Sequence, residues 1–194
     1  MSNVKVLVEG YAKQHRDGSW RATSTCVLIE EGNLRILVDP GQNRQLLLDA
    51  FAREQLTLED IDLVFLTHHH LDHLLNIRLF PQARICFGDH WVEDKKLGVC
   101  EGRIPGTSIS IIPTPGHTSE HCALLAKTPQ GQCVIAGDII WYSEEAAPST
   151  DRQILIERQD PFAQDIKALK ESRIKLLEMA DYLIPGHGKS FKLR

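Results

Sequence analysis

The sequence predicts an α/β fold in which sheets pack face to face and helices cover the outside. Short apolar or alternating runs typical of strands recur along the whole chain, whereas few stretches have the helical spacing of apolar residues. Strands in such excess bury their apolar faces against each other, with helices packed outside. The length of 194 residues corresponds to one domain, so a single domain is expected to span residues 1–194.

The amino-terminal part of the chain is predicted to contain three strands and one helix. Residues 3–9 and 23–30 are rich in β-branched and apolar residues. Glu-Gly-Asn at 31–33 is typical of a hairpin turn into a third strand at residues 34–39. Apolar side chains recur at helical spacing over residues 44–53, which predicts the first helix.

A buried strand is predicted over residues 62–67, after a short capped turn in which Asp60 follows Thr57. The segment DLVFLT has the continuous apolar centre of a strand covered on both faces. Residues 161–180 form the longest helix candidate, with Pro161 in its first turn. Five further strands are predicted at residues 83–88, 108–114, 121–128, 132–138 and 181–185.

Composition and charge exclude several classes of protein. Hydrophobic residues make up 42% and charged residues 25%, as in ordinary globular proteins, which excludes a disordered chain, a coiled coil and collagen. No apolar run approaches the roughly 20 residues that span a bilayer, so no membrane association is expected. The net charge of −4 provides no basic surplus for holding a long phosphate backbone.

Histidines cluster directly after the predicted buried strand. The pattern H-x-H-x-D-H places His68, His70, Asp72 and His73 within six residues. Imidazole nitrogen and carboxylate oxygen are ligands for zinc, iron or manganese. So short a loop cannot easily bring all four side chains to one ion. We therefore expect His68 and His70 to hold one ion, and Asp72 and His73 to turn toward a second.

Three more candidate ligands each follow a predicted strand and a glycine. They are His117 in PGHT, Asp138 in GD and His187 in PGHG. Glycine allows the backbone to turn sharply and to approach other groups closely. The sequence thus offers seven candidate metal ligands: His68, His70, Asp72, His73, His117, Asp138 and His187.

The motifs LVDPG, THHHLDH, TPGHT with AGD, and PGHG, in this order, resemble the metallo-β-lactamase-fold hydrolases over nearly the whole chain. The resemblance implies a four-layer αββα sandwich with a dinuclear metal site at one edge. It also implies a supporting role for Asp39 of LVDPG, for which a simple turn-forming role is the alternative. Carried over by position, the resemblance assigns His68, His70 and His117 to the first ion, Asp72, His73 and His187 to the second, and Asp138 to both.

Several stretches are similar to a smaller group, the metallo-β-lactamase domain-containing protein 1 group. They are DHLLNIRLFPQARI, TPGHTSEH, VIAGDI and LEMADYLIPGHGKSF. This resemblance implies a ribonuclease activity on histone pre-messenger RNA. A single-stranded RNA endoribonuclease is therefore one alternative function.

The expected function is metal-dependent hydrolysis of an ester-like or phosphodiester bond. Two divalent ions, zinc or else iron or manganese, would supply a bridging hydroxide at neutral pH. Asp72 is the expected catalytic residue, because it can orient the nucleophile and accept a proton. The substrate is a small molecule or single-stranded RNA. A second alternative is a mononuclear iron persulfide dioxygenase using His68, His117 and Asp138.

Side chains near the motifs form the expected surroundings of the site. His69 is expected to turn away from its neighbours and pack, and His121 to be an ordinary surface or strand histidine. Trp141 and Tyr142 follow Asp138 and are candidate pocket walls. The pattern leaves open whether His69, His121, Trp141, Tyr142 and Lys189 line the pocket.

The cysteines and the amino-terminal residues predict the cellular compartment of the protein. The five cysteines are odd in number and have no C-x-x-C spacing, which favours reduced, buried thiols. The first residues, MSNVKVLVEGYAKQ, lack the apolar stretch of a secretory signal. A cytoplasmic location is therefore expected, and a homodimer is left open as the assembly state.

Overall fold

A computed structural model describes residues 1–146 and 148–193. Within these residues, four α-helices and fourteen strands follow one another, and two short 3₁₀ helices cover Leu58–Asp60 and Leu75–Leu79. The helices are α1 (Arg44–Arg53), α2 (Leu71–Leu74), α3 (Arg152–Glu157) and α4 (Ile166–Met179). The strands are β1 (Asn3–Val8), β2 (Tyr11–Gln14), β3 (Trp20–Thr23), β4 (Cys26–Glu31), β5 (Leu34–Val38), β6 (Leu63–Leu66), β7 (Arg84–Phe87), β8 (His90–Glu93), β9 (Lys96–Val99), β10 (Ser110–Pro113), β11 (Cys122–Thr128), β12 (Gly131–Gly137), β13 (Tyr182–Pro185) and β14 (Phe191–Lys192).

The described strands form two large sheets and one separate hairpin. The first sheet has the order β1-β4-β5-β6-β7-β8-β9, and the second has the order β10-β11-β12-β13-β14. Strands β2 and β3 pair only with each other. Most neighbours are antiparallel, but β5, β6 and β7 are parallel, as are β12 and β13.

Alternating side chains divide the core into three apolar layers. In β5, Ile36 and Val38 face the layer between the two sheets, whereas Leu37 faces the layer that contains Leu47 and Phe51 of α1. A third layer lies on the outer face of the second sheet, where α3 and α4 pack. This is the four-layer αββα sandwich, so the predicted fold class is confirmed.

The buried strand β6 positions the histidine motif. All four of its residues are buried, and it pairs in parallel with β5 on one side and β7 on the other. This confirms the prediction from DLVFLT. Since β6 ends at Leu66, the motif emerges at the carboxyl edge of the first sheet, next to the loop that follows β12 at Gly137.

Several parts of the secondary structure differ from the prediction, among them α3 and β14, which were not predicted. The long helix begins at Ile166 and not at Pro161, because Asp165 is the N-cap and accepts hydrogen bonds from the backbone of Lys167 and Ala168. The hairpins β2–β3 and β8–β9 were not predicted. Their four-residue strands have few buried positions, and β8–β9 leaves Val92, Leu97 and Val99 exposed, so these strands lack the alternation of buried apolar residues seen in core strands.

Two expectations from composition can be compared with the structure. All five cysteines are buried and free, as predicted. Among residues 1–146 and 148–193, no helix combines the length and the apolar composition needed to cross a bilayer.

Candidate metal centre

The seven candidate ligands lie together where strands of both sheets end. They form two groups, and within each group the ligand atoms lie within 4.8 Å of one another. His68 and His70 lie in the loop after β6, Asp72 and His73 lie in the short helix α2 that follows it, and His117, Asp138 and His187 lie in the loops after β10, β12 and β13. The first group is His68, His70, His117 and Asp138, and the second is Asp72, His73 and His187.

Asp138 is placed between the two groups. Its Oδ2 atom lies 3.5 Å from Nε2 of His117 and 3.5 Å from Nε2 of His187. The same oxygen is 3.8 Å from Nε2 of His68, while Oδ1 is 3.2 Å from Nε2 of His73. One carboxylate therefore reaches imidazoles of both groups.

Glycine makes this close approach possible. Gly186 precedes His187, and a Cβ atom at position 186 would lie 1.9 Å from Oδ1 of Asp138. At Gly137, with a φ of +52°, a Cβ atom would lie 2.6 Å from Nε2 of His121. The glycines before Asp138 and His187 are therefore required by the packing of the site itself.

Asp39 supports two candidate ligands, His73 by direct contact and His68 through Thr67. Its Oδ2 lies 2.8 Å from Nδ1 of His73 and accepts a hydrogen bond of 2.7 Å from the hydroxyl of Thr67. The Thr67 hydroxyl lies 3.0 Å from Nδ1 of His68. Asp39 also turns the chain, with a φ of +48°. Both roles considered from the sequence therefore apply to this residue.

Two supporting groups were missed by the sequence analysis. Asp160 is buried, and its Oδ2 lies 2.7 Å from Nδ1 of His117. Nδ1 of His187 donates to the backbone carbonyl of Thr23 at 2.9 Å. Such partners fix the ring orientation and leave Nε2 directed inward. No motif marks a backbone carbonyl, and Asp160 before a proline has the pattern of an ordinary turn.

Burial leaves two imidazoles neutral. It lowers the pKa of His68 well below its ordinary value, and the charge of His73 lowers it further. Burial likewise lowers the pKa of His70, with a further contribution from His117. Neutral imidazoles present the lone pairs that bind a metal ion.

Carboxylates in the centre favour positive charge on the neighbouring groups, as the pKa values of His73 and Asp138 indicate. Burial acts to lower the pKa of His73, but the charges of Asp138 and Asp39 hold it well above its ordinary value. Burial acts to raise the pKa of Asp138, but the charges of His73 and His187 hold it well below its ordinary value. The buried Nε2 of His68 has no hydrogen-bond partner, and Nε2 of His73 and Oδ1 of Asp138 approach each other to 3.2 Å without forming a hydrogen bond of good geometry. These residues fit divalent metal ions.

Comparison with known proteins gives the family. A model of the Metallo-beta-lactamase superfamily matches residues 20–86. The chain is also 31% identical to Metallo-beta-lactamase domain-containing protein 1 of Xenopus laevis, over 98% of this chain and 82% of that protein. The chain belongs to the metallo-β-lactamase superfamily. It is a metal-dependent hydrolase of the group that includes this relative.

Solved structures share the metallo-β-lactamase fold at lower identity. A Thermotoga maritima protein grouped with the metallo-β-lactamases superimposes with a TM-score of 0.70 at 21% identity, over 98% of this chain and 99% of that one. AidC, described as a dizinc quorum-quenching lactonase, superimposes with a TM-score of 0.61 at 16% identity, over 87% of this chain and 74% of that one. At these identities the likeness concerns the fold.

A cavity of about 350 Å³ opens beside the metal centre of this metallo-β-lactamase-fold chain. Its size lies in the range of small-molecule sites. Four of the lining residues are candidate ligands, and most of the others are apolar. The lining residues are Ala12, Trp20, Ala22, Gln42, His70, Leu71, Asp72, Asp138, Trp141, Phe162 and His187.

His121 lies behind the metallo-β-lactamase site and not on its surface. It is buried, and its Nε2 accepts a hydrogen bond of 3.2 Å from the backbone N–H of Asp138. Its Nδ1 therefore carries the proton and donates to the hydroxyl of Thr114 at 2.9 Å. The expectation of an ordinary surface or strand histidine was wrong, because the ring supports the backbone of Asp138.

The other neighbouring residues divide into wall and packing residues. Trp141 lines the cavity, as predicted, whereas Tyr142 is buried in the outer apolar layer and does not line it. His69 stacks on Phe87 with ring centroids 3.6 Å apart, in agreement with the expected packing role. Lys189 is exposed and does not line the cavity.

Proposed function

We propose that this metal-dependent hydrolase is dinuclear and uses an activated water on an ester-like or phosphodiester bond of a small molecule. The observation that carries the proposal is the position of Asp138, whose two oxygens face imidazoles of both candidate groups. A single carboxylate in this position suits two adjacent ions.

The seven residues would divide between two ions, with Asp138 contacting both. The first group would hold one ion and the second group the other. Four carboxylates lie in or around the centre, and each contacts a histidine of one of the two groups. These carboxylates are Asp39, Asp72, Asp138 and Asp160.

Bound divalent ions would lower the pKa of water toward neutrality and polarise the bond to be cleaved. Asp72 would orient the attacking water and accept its proton at a carboxylate oxygen. It lines the cavity, and its Oδ2 lies 3.3 Å from Nε2 of His187. Burial acts to raise the pKa of Asp72, but the hydrogen bond with His187 and the charge of His73 lower it overall. The carboxylate is therefore ionised and able to act as a base.

The alternatives are less well supported. A mononuclear iron dioxygenase would use His68, His117 and Asp138 and leave the second group of Asp72, His73 and His187 without a role. A ribonuclease would need contacts along an RNA strand, whereas the cavity of about 350 Å³ has the size of a small molecule.

Zinc is the proposed metal, since imidazole and carboxylate ligands suit it and the AidC structure is described as dizinc. The test is elemental analysis of protein expressed with ample zinc, iron and manganese and purified without chelator. We expect two ions per chain, loss of ester hydrolysis after chelation and its return when zinc is added. One ion or none per chain would contradict the dinuclear proposal.

A further inference from the structure

Three aromatic rings from separate segments form one side of the cavity. Trp20 begins β3, Trp141 follows β12, and Phe162 precedes α4. Trp20 lies edge-on to both other rings, with centroid distances of 5.9 Å to Trp141 and 5.4 Å to Phe162. The centroids of Trp141 and Phe162 are 6.0 Å apart. We call these three residues the aromatic wall.

The aromatic wall borders the metal centre directly. The ring of Trp141 lies 6.1 Å from the ring of His187, centroid to centroid. A group held against the wall is therefore next to the candidate ligands. At the mouth of the cavity, Leu71 is 63% exposed and Phe162 is 44% exposed. Large apolar side chains left open beside a cavity mark a surface that binds an apolar group.

Positive charge is directed away from this cavity. Among the described residues that line it, none is Lys or Arg. Two cations on neighbouring elements have other partners: Lys13 pairs with Glu144, and the guanidinium of Arg21 lies over the ring of Tyr11. Arg158 donates from Nε to the carbonyl of Trp141, behind the wall. A phosphodiester anion would thus contact no lysine or arginine among the described residues that line the cavity.

We infer that the substrate is an uncharged carboxylic ester, thioester or lactone whose acyl group lies against the aromatic wall. This inference rests on the proposed function and narrows its bond type. In the reaction, the oxygen of water bonds to the acyl carbon and the acyl–oxygen or acyl–sulfur bond breaks. The products are a carboxylate, a proton and an alcohol or thiol, which a lactone retains in one molecule. No further reactant is needed.

The first experiment measures binding without hydrolysis. Butanamide, hexanamide and octanamide are titrated into the protein while tryptophan fluorescence is recorded, since Trp20 and Trp141 lie in the wall. We expect the dissociation constant to fall roughly fourfold per added methylene until the cavity is filled. Phe162→Ala should flatten this dependence. Ile174→Ala is the matched control, because Ile174 on α4 is 42% exposed and does not line the cavity.

The second experiment measures hydrolysis by zinc-loaded protein. The substrates are p-nitrophenyl acetate, butyrate and hexanoate, and bis(p-nitrophenyl) phosphate, which share one leaving group. We expect kcat/KM to rise with acyl length in the wild type and in Ile174→Ala, to be nearly independent of length in Phe162→Ala, and to be lowest for the phosphodiester.

The two experiments separate the inference from the proposed function. Amide affinity and ester kcat/KM that are independent of chain length in the wild type would overturn the inference, even if the esters are hydrolysed. Faster turnover of the phosphodiester than of the hexanoate ester would also overturn it. Chain-length-dependent amide binding without hydrolysis of any substrate would contradict the proposed function and support the wall as a binding surface for apolar groups.

Discussion

The metal centre and the aromatic wall lie side by side but are built from different parts of the fold. The candidate ligands follow strands of the two packed sheets. Nδ1 of His73 contacts the buried carboxylate of Asp39, and Nδ1 of His117 contacts that of Asp160. The wall comes from a separate hairpin and two connecting segments. We therefore expect changes at the centre to abolish metal binding, and changes at the wall to alter which substrate is used.

Asp138→Ala should have the largest effect. Because Asp138 contacts imidazoles of both groups, its loss removes a ligand from each ion at once. Supporting residues of metal sites typically cost 10–100-fold, so we expect more than about 100-fold loss of turnover and fewer than two ions per chain. Asp49→Ala, an exposed carboxylate on α1, is the control. Two retained ions with near-wild-type turnover would refute the bridging assignment.

Asp160 tests whether the two regions are independent. Its Oδ2 contacts His117, and its Oδ1 accepts the backbone N–H of Phe162 in the wall at 3.0 Å. Asp160→Ala should weaken zinc binding about 10–100-fold in a chelator-competition titration, and should also reduce the dependence of ester kcat/KM on acyl length. Asp160→Asn keeps only one acceptor oxygen, so it can accept from His117 or from Phe162 but not from both, and it should restore at most one of the two properties. Loss of zinc affinity with unchanged acyl-length dependence would show that the regions are separate.

Arg173 stabilises the segment that carries Asp160. Arg173 is buried on α4 and donates to the carbonyls of Ile139, Ile156 and Arg158. Arg173→Met leaves these acceptors unpaired, so we expect a loss of about 2–4 kcal/mol in the free energy of unfolding. Zinc affinity should also fall, by less than in Asp160→Ala.

The control for Arg173 lies on the same helix. Lys170 forms an exposed ion pair with Glu157, so Lys170→Met should change the free energy of unfolding by less than about 1 kcal/mol. Urea unfolding of both variants gives the comparison. An equal, small effect of both substitutions would show that Arg173 does not hold the segment in place.

The sequence predicted the core strands better than the surroundings of the site. Strand β6 was recognisable because burial on both faces leaves a continuous apolar segment, and the motif after it marked four candidate ligands. The hairpin of Trp20 was missed, because its strands cover the cavity and need no apolar alternation. Asp160 was missed since it meets His117 across 43 residues, a contact that no local pattern encodes.

The smallest effect is expected at His69, although it stands between two candidate ligands. Its ring stacks on Phe87, and its Nδ1 lies 3.7 Å from Oε1 of Glu120. Since its side chain is 54% exposed, His69→Ala should lower the free energy of unfolding by about 1 kcal/mol or less. Metal content and ester turnover should stay at the wild-type level.

His68→Ala and His70→Ala provide the contrast with His69→Ala, because both rings belong to the first group. Each should lower the zinc content measured by elemental analysis under the same expression conditions. Among these three adjacent histidines, His68 and His70 face the centre, whereas His69 faces solvent. If His69→Ala lost zinc as His68→Ala does, the loop after β6 would have to present its side chains differently when metal is bound, and the division of the seven ligands would need revision.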